Sequence, residues 1–211
     1  MTAHYYAFGS ICRGEADSGS DVDLLACIST ADPTLDPKKF SIYKHARVRE
    51  LWQDGNPFAW HLHYESRLIF SSDGSDFIAD LGAPATYAKV VQDCMKFRRL
   101  FLESYRSLQQ SPNSAVFHLS CVFLATRNFA TCYSFSKGRP VFSRRSPLLI
   151  DKKLPISEGV FDILARARIL STRGYGAIIS NAEVETAKAS APVILDWMDN
   201  LTPTGVEYER I

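Results

Sequence analysis

Two carboxylates, Asp21 and Asp23, stand one apolar residue apart at the start of the run Val22-Asp23-Leu24-Leu25-Ala26-Cys27-Ile28. In an extended strand alternate side chains share a face, so both carboxylates are expected to point one way while Val22 and Leu24 point into a core. Adjacent carboxylates on one exposed face repel each other unless a cation sits between them. The economical occupant is Mg²⁺, which takes carboxylate oxygens together with the phosphates of a nucleotide. Upstream stand Gly9-Ser10 and Arg13-Gly14, and Ser20 directly precedes Asp21. Gly9 and Ser10 close an aromatic strand at 4–8, where backbone N–H groups can cradle phosphate oxygens and glycine lets the chain approach closely. Arg13 offers a cation for phosphate charge.

The full spacing, Gly9-Ser10-x-x-Arg13-Gly14 followed by Ser20-Asp21-x-Asp23-Leu24, resembles the nucleotidyltransferase superfamily of the DNA polymerase β type. Within it the similarity is to the small bacterial branch, which includes minimal nucleotidyltransferases paired with helical toxin partners and the aminoglycoside nucleotidyltransferases. The resemblance implies that Asp21 and Asp23 hold Mg²⁺ on an NTP, ATP by expectation. Gly9, Ser10, Arg13 and Ser20 would contact the nucleotide. An acceptor hydroxyl of a small molecule, protein or RNA would attack the α-phosphorus, and pyrophosphate would leave.

The family normally takes a third carboxylate from the next strand. The stretch 58–64 alternates, with Phe58, Trp60, Leu62 and Tyr64 on one face and Ala59, His61, His63 and Glu65 on the other, which predicts a third strand. Glu65 is expected there as metal ligand or base. The natural alignment sets His61 where an aspartate is expected; a neutral imidazole accepts a proton but is a poor Mg²⁺ ligand. His61-x-His63-x-Glu65 also reads as a zinc site, or as surface histidines. Lys96, Arg98 and Arg99, early in the first helix past Pro84, are expected either to meet the triphosphate or to form a solvated helix face. The missing aspartate leaves a second reading, a non-catalytic nucleotide-binding or antitoxin-like interaction module with a degenerate site.

These residues need elements to hold them. Strands at 4–8 and 21–28, a helix over 37–54 stopped by Gly55-Asn56-Pro57, and the strand at 58–64 predict a small mixed-sheet domain over 1–82, which the resemblance implies is palm-like. Past Pro84 the pattern turns helical: 87–110, a nearly all-apolar helix capped by Asn113, a third opened by Ser157, and a fourth over 181–201. The expected fold is therefore α+β, a mixed-sheet nucleotidyltransferase domain followed by an α-helical bundle at 85–201 and a tail at 202–211. The bundle weakly resembles the HEPN type. Arg127-Asn128 matches the start of its ribonuclease pattern, but no histidine follows, so ribonuclease chemistry has no support. Between helices lies a basic segment with Arg139, Arg144, Arg145, Lys152 and Lys153, suited to RNA or an acidic acceptor. Acceptor carboxylates for a cationic aminoglycoside reduce to Asp151, Glu158 and Asp162.

With 211 residues, 46% apolar and 22% charged, the chain has the composition of a folded globular protein, and a net charge of +1 carries no global attraction to nucleic acid or membrane. No apolar run approaches the roughly 18 residues of a membrane span and no leader pattern opens the chain, so a cytoplasmic location without membrane contact is expected. The five cysteines are scattered without a CxxC pair, which favours buried reduced thiols. Family members carry a helix before the first strand whereas this chain starts almost at it; that predicts either a trimmed start or a sheet edge covered by a partner, as in a homodimer.

Overall fold

The computed structural model describes residues 2–15 and 22–202. These form two compact units dividing between Ala88 and Lys89, a mixed α/β unit first and an all-helical one after it. In the first, β1 (Ala3–Phe8) lies between β2 (Asp23–Ile28) and β4 (Ser66–Ser71), antiparallel to both, while β3 (Phe40–Lys44) runs parallel to β2, giving the order β3-β2-β1-β4. β1 alternates as a half-covered strand should, with His4, Tyr6 and Phe8 buried. Tyr6 and Phe8 join Leu25, Val48, Trp52 and Leu62 in a core closed by α1 (His45–Gln53), α2 (Pro57–Glu65) and the short α3 (Phe77–Asp80).

Three expectations need correction. The stretch expected as a third strand is the helix α2. Asn56 caps it, its side chain accepting from Phe58 N at 2.9 Å, and Pro57 fills the first turn, where a missing N–H costs nothing. Asn-Pro therefore starts this helix as well as stopping the one before. The helix expected over 37–54 begins only at His45, because Phe40–Lys44 pairs with β2 instead. Val22, expected in the core, is 51% exposed; burial on β2 begins at Leu25.

At the far end of β1 from Phe8, His4 is 2% exposed and engaged on both ring edges. Its Nδ1 meets His45 Nε2 at 3.0 Å, and its Nε2 reaches Asp73 Oδ1 at 3.2 Å and Ser75 Oγ at 3.1 Å. This pins β1 and α1 to the turn after β4. Burial, reinforced by His4, holds the His45 imidazole below its ordinary range, so the folded chain keeps it neutral where the unfolded chain begins to bind a proton. The stability this contributes is complete above about pH 6.5 and is lost as pH falls from that unfolded value through the lower folded one. Urea midpoints measured across mildly acid pH are expected to fall more steeply in the wild type than in His45→Gln.

The second unit contains α4 (Val90–Gln110), α5 (Ala115–Ser136), the short α6 (Ser146–Leu149), α7 (Glu158–Arg173) and α8 (Asn181–Leu201). α5 is apolar on nearly every side and is buried among α4, α7 and α8, the position such a helix must take. Ser114, rather than the expected Asn113, occupies its N-cap, since 112–114 forms a 3₁₀ turn. Ser157 caps α7 by accepting from Val160 N, and Ser180 with Glu183 forms a capping box on α8. Arg98 ties α4 to α8 through a bidentate pair with Asp199. No helix among the described residues is long and apolar enough to cross a membrane.

Candidate functional site

β1 ends where Gly9 turns the chain with φ +77, a left-handed conformation that glycine adopts without a Cβ clash. A 3₁₀ turn, Gly9–Arg13, follows and is closed by Gly14 N donating to Ile11 O and Glu15 N donating to Ser10 O at 3.0 Å. This turn touches β1, β2, β4 and α2, so it is the junction at which the sheet's end meets the helix layer.

Asp23 sits directly over it. A Cβ built on Gly9 would lie 2.8 Å from Asp23 Oδ2, a separation that real Cβ atoms do not tolerate. The ladder register extends the row, with Asp23 opposite Phe8 and Phe8 opposite Ser66, the residue after Glu65. The end of α2 is thereby brought to the same end of the sheet as Asp23.

The third part is a cluster of charge. Arg13 Nε donates to Glu15 Oε2 at 2.9 Å, and Arg13 Nη1 donates to Glu65 Oε2. His61 Nε2 lies 2.9 Å from the same Glu65 oxygen, one helical turn back on α2. The side chains of Arg13, Glu65 and His61 are 18%, 14% and 16% exposed, so their mutual attraction is only partly screened. His61 is further fixed by ring contacts with Phe8, at 5.6 Å, and Phe58. Burial pushes the Glu65 carboxyl up, but His61 and Arg13 outweigh it and hold it below the ordinary carboxylate range. Burial alone would lower Arg13; Glu15 and Glu65 reverse that and keep the guanidinium firmly charged. Cys12, beside it, has its thiol pushed up by burial and donates to Ala7 O at 3.4 Å.

The structure thus brings together Gly9, Ser10, Arg13, Asp23, His61 and Glu65. Ser20 and Asp21 lie outside the described residues. Lys96 and Arg99 are exposed on α4 in the second unit. His63 parts from His61 because positions two apart on a helix face different ways; it is exposed and meets the Trp60 ring edge-on at 5.8 Å. The proposed strand-based zinc set therefore loses its shared face, and among the described residues no three His, Cys, Asp or Glu side chains are grouped to hold a metal ion. The residue the sequence reading missed is Glu15, whose opposite charge two positions after Arg13, across a glycine turn, was the available signal.

In the second unit, Arg127 donates to the Phe142 carbonyl and to Asn128 Oδ1, an internal role. Arg145 is taken up by Glu158 at 3.1 Å and Asp162 at 3.6 Å, so two of the three carboxylates expected to meet a cationic acceptor already share one guanidinium. The third, Asp151, lines a cleft of about 450 Å³ with Lys152, Lys153, Asp196 and Trp197. Neither a family model nor a curated protein matches this sequence.

Proposed function

We propose that the chain is a Mg²⁺-dependent nucleotidyltransferase, moving a nucleoside monophosphate from an NTP, ATP by preference, onto an acceptor hydroxyl with release of pyrophosphate. The observation that carries this reading is the packing of the Asp23 carboxylate against Gly9, which seats an acidic side chain directly on the glycine turn that follows β1. That is the pair of features a metal-bound triphosphate requires, and the donor set, hard carboxylate oxygens, suits Mg²⁺. Asp21 and Asp23 would hold the ion, which when bound supplies neutralisation of triphosphate charge. Gly9, lacking a Cβ, leaves the room in which the Asp23 carboxylate sits against the turn. Arg13 is the cation on the turn that would meet phosphate charge by exchanging its glutamates for it. Glu65 positions Arg13 and His61. His61, its Nε2 2.9 Å from Glu65, is the imidazole that would take the acceptor's proton.

One observation favours the alternative, a nucleotide-binding or antitoxin-like module without turnover: Glu65 is committed to Arg13 and His61 instead of standing as a third carboxylate beside Asp23. The two readings separate in one experiment. Wild-type protein incubated with Mg²⁺ and ATP radiolabelled at the α-phosphorus, over a panel of hydroxyl acceptors, is expected to release pyrophosphate and label an acceptor, and the Asp21→Ala, Asp23→Ala double variant to do neither. Equal behaviour of wild type and variant removes the catalytic reading. Calorimetric binding of Mg·ATP without product across the panel selects the binding module.

A further inference from the structure

The helices α1 to α3 cover one face of the sheet, and the opposite face has a chemistry of its own. Residues directly opposite in a ladder share a face. The register therefore sets Tyr5 beside Ala26 and Phe70, Ala26 beside Ile42, Leu24 beside Phe40, Ala7 beside Arg67, and Ile28 beside Lys44. Ala26 ends at its Cβ, and the rings lean over it: the Tyr5 centroid is 5.7 Å from Phe40 and 5.4 Å from Phe70. This accounts for the complete burial of Ala26 on the face that α1 to α3 leave uncovered. The product is an aromatic strip crossing all four strands, about 14 Å at the usual strand spacing. It stays accessible, with Phe70 48% and Ile42 36% exposed.

The charges on this face have one sign. The four strands contribute no carboxylate to it; Asp23 belongs to the other face, opposite Phe8. Lys44 and Arg67 stand on it, and neither is ion-paired among the described residues. Two copies docked face to face would oppose like charges across an apolar centre, which disfavours a second copy as the occupant. Flat rings bordered by uncompensated cations match a chain that alternates planar bases with phosphates.

We propose that this open face binds single-stranded nucleic acid, with bases stacking on Tyr5 and Phe70 and phosphates held at Lys44 and Arg67. The inference stands apart from nucleotidyl transfer, since Gly9, Asp23 and Glu65 are not on this face and the binding needs neither Mg²⁺ nor NTP. A duplex is a poorer ligand because its bases already stack on each other.

The test is fluorescence anisotropy of a short fluorescein-labelled oligoadenylate titrated with the full chain in the absence of divalent metal. Saturable binding that weakens with salt is expected, with a duplex of equal length at least about tenfold weaker. Tyr5→Leu and Phe70→Leu keep apolar bulk but remove the ring, and each is expected to weaken binding about tenfold. Lys44→Ala is expected to lower the salt slope by about one. Circular dichroism checks that the variants fold, and Phe70→Leu, at an exposed edge position, decides alone if Tyr5→Leu does not. The proposal is overturned by absence of saturable binding, or by unchanged affinity in the leucine variants, which would move the site to the basic segment 137–153. A dimer in sedimentation that Phe70→Asp dissociates also overturns it and gives the face to a second copy.

Discussion

Gly9→Ala is expected to lower nucleotide affinity and any transfer rate by about a hundredfold, the scale on which displacing a reacting group by an ångström acts. Two costs combine. The left-handed backbone at φ +77 costs an alanine about 1–2 kcal/mol in folding stability. The new Cβ also falls 2.8 Å from Asp23 Oδ2, and since the obstruction is a carboxylate at the end of a short side chain, relief comes from swinging Asp23 away from the turn. Gly14→Ala isolates the second cost. Gly14 has the same kind of backbone, φ +70, but nothing within 4 Å of a built Cβ. Both variants are expected to lower the urea midpoint by similar amounts, whereas only Gly9→Ala is expected to impair Mg·ATP binding in calorimetry. Equal binding by the two variants would show that the contact between Gly9 and Asp23 has no bearing on the nucleotide.

That contact was half legible in the sequence. The spacing from Gly9 to Leu24 marked the turn and the second strand, since strand alternation and glycine placement are local properties. The caps at Ser157 and the end of α8 before Pro203 were legible for the same reason. The third strand was misread because α2 carries apolar or aromatic residues on most of its circumference: Phe58, Ala59, Trp60 and Leu62 satisfy a two-residue period as well as a helical one. Asn56-Pro57 held the answer, but its role as an N-cap competed with its role as a stop. The strand β3 was hidden because Phe40 and Tyr43 line up by spacing with Val48, Leu51 and Trp52, although a strand and a helix divide them. Pairing of Arg13 with Glu65, 52 residues apart, had no local trace. Reading each residue for its own chemistry assigned one to phosphate and the other to metal, and their opposite charges were the better guide.

Glu65→Ala tests that pairing directly and is expected to be the most destabilising single change at the site. It leaves Arg13, 18% exposed, with the more solvated Glu15 as its carboxylate partner among the described residues, and removes the Glu65 contact of His61. Removing one member of a buried pair costs about 3–5 kcal/mol when burial is complete; partial exposure here places the expected loss at about 2–3 kcal/mol. Glu65→Gln keeps an oxygen to accept from Arg13 and is expected to lose less. In a double-mutant cycle with Arg13→Ala the coupling is expected at about 1–2 kcal/mol, read from urea midpoints. The pH dependence has a definite sign. Because the folded Glu65 carboxyl is held below its unfolded value, its stabilisation is present above about pH 4.3 and is lost as pH falls through the lower folded value. Both Glu65 variants should therefore show a shallower acid limb than the wild type. A limb as steep as the wild type's, together with additive single losses, would mean that Arg13 and Glu65 do not act on each other in solution, and Glu65 would return to being a carboxylate free to join Asp23.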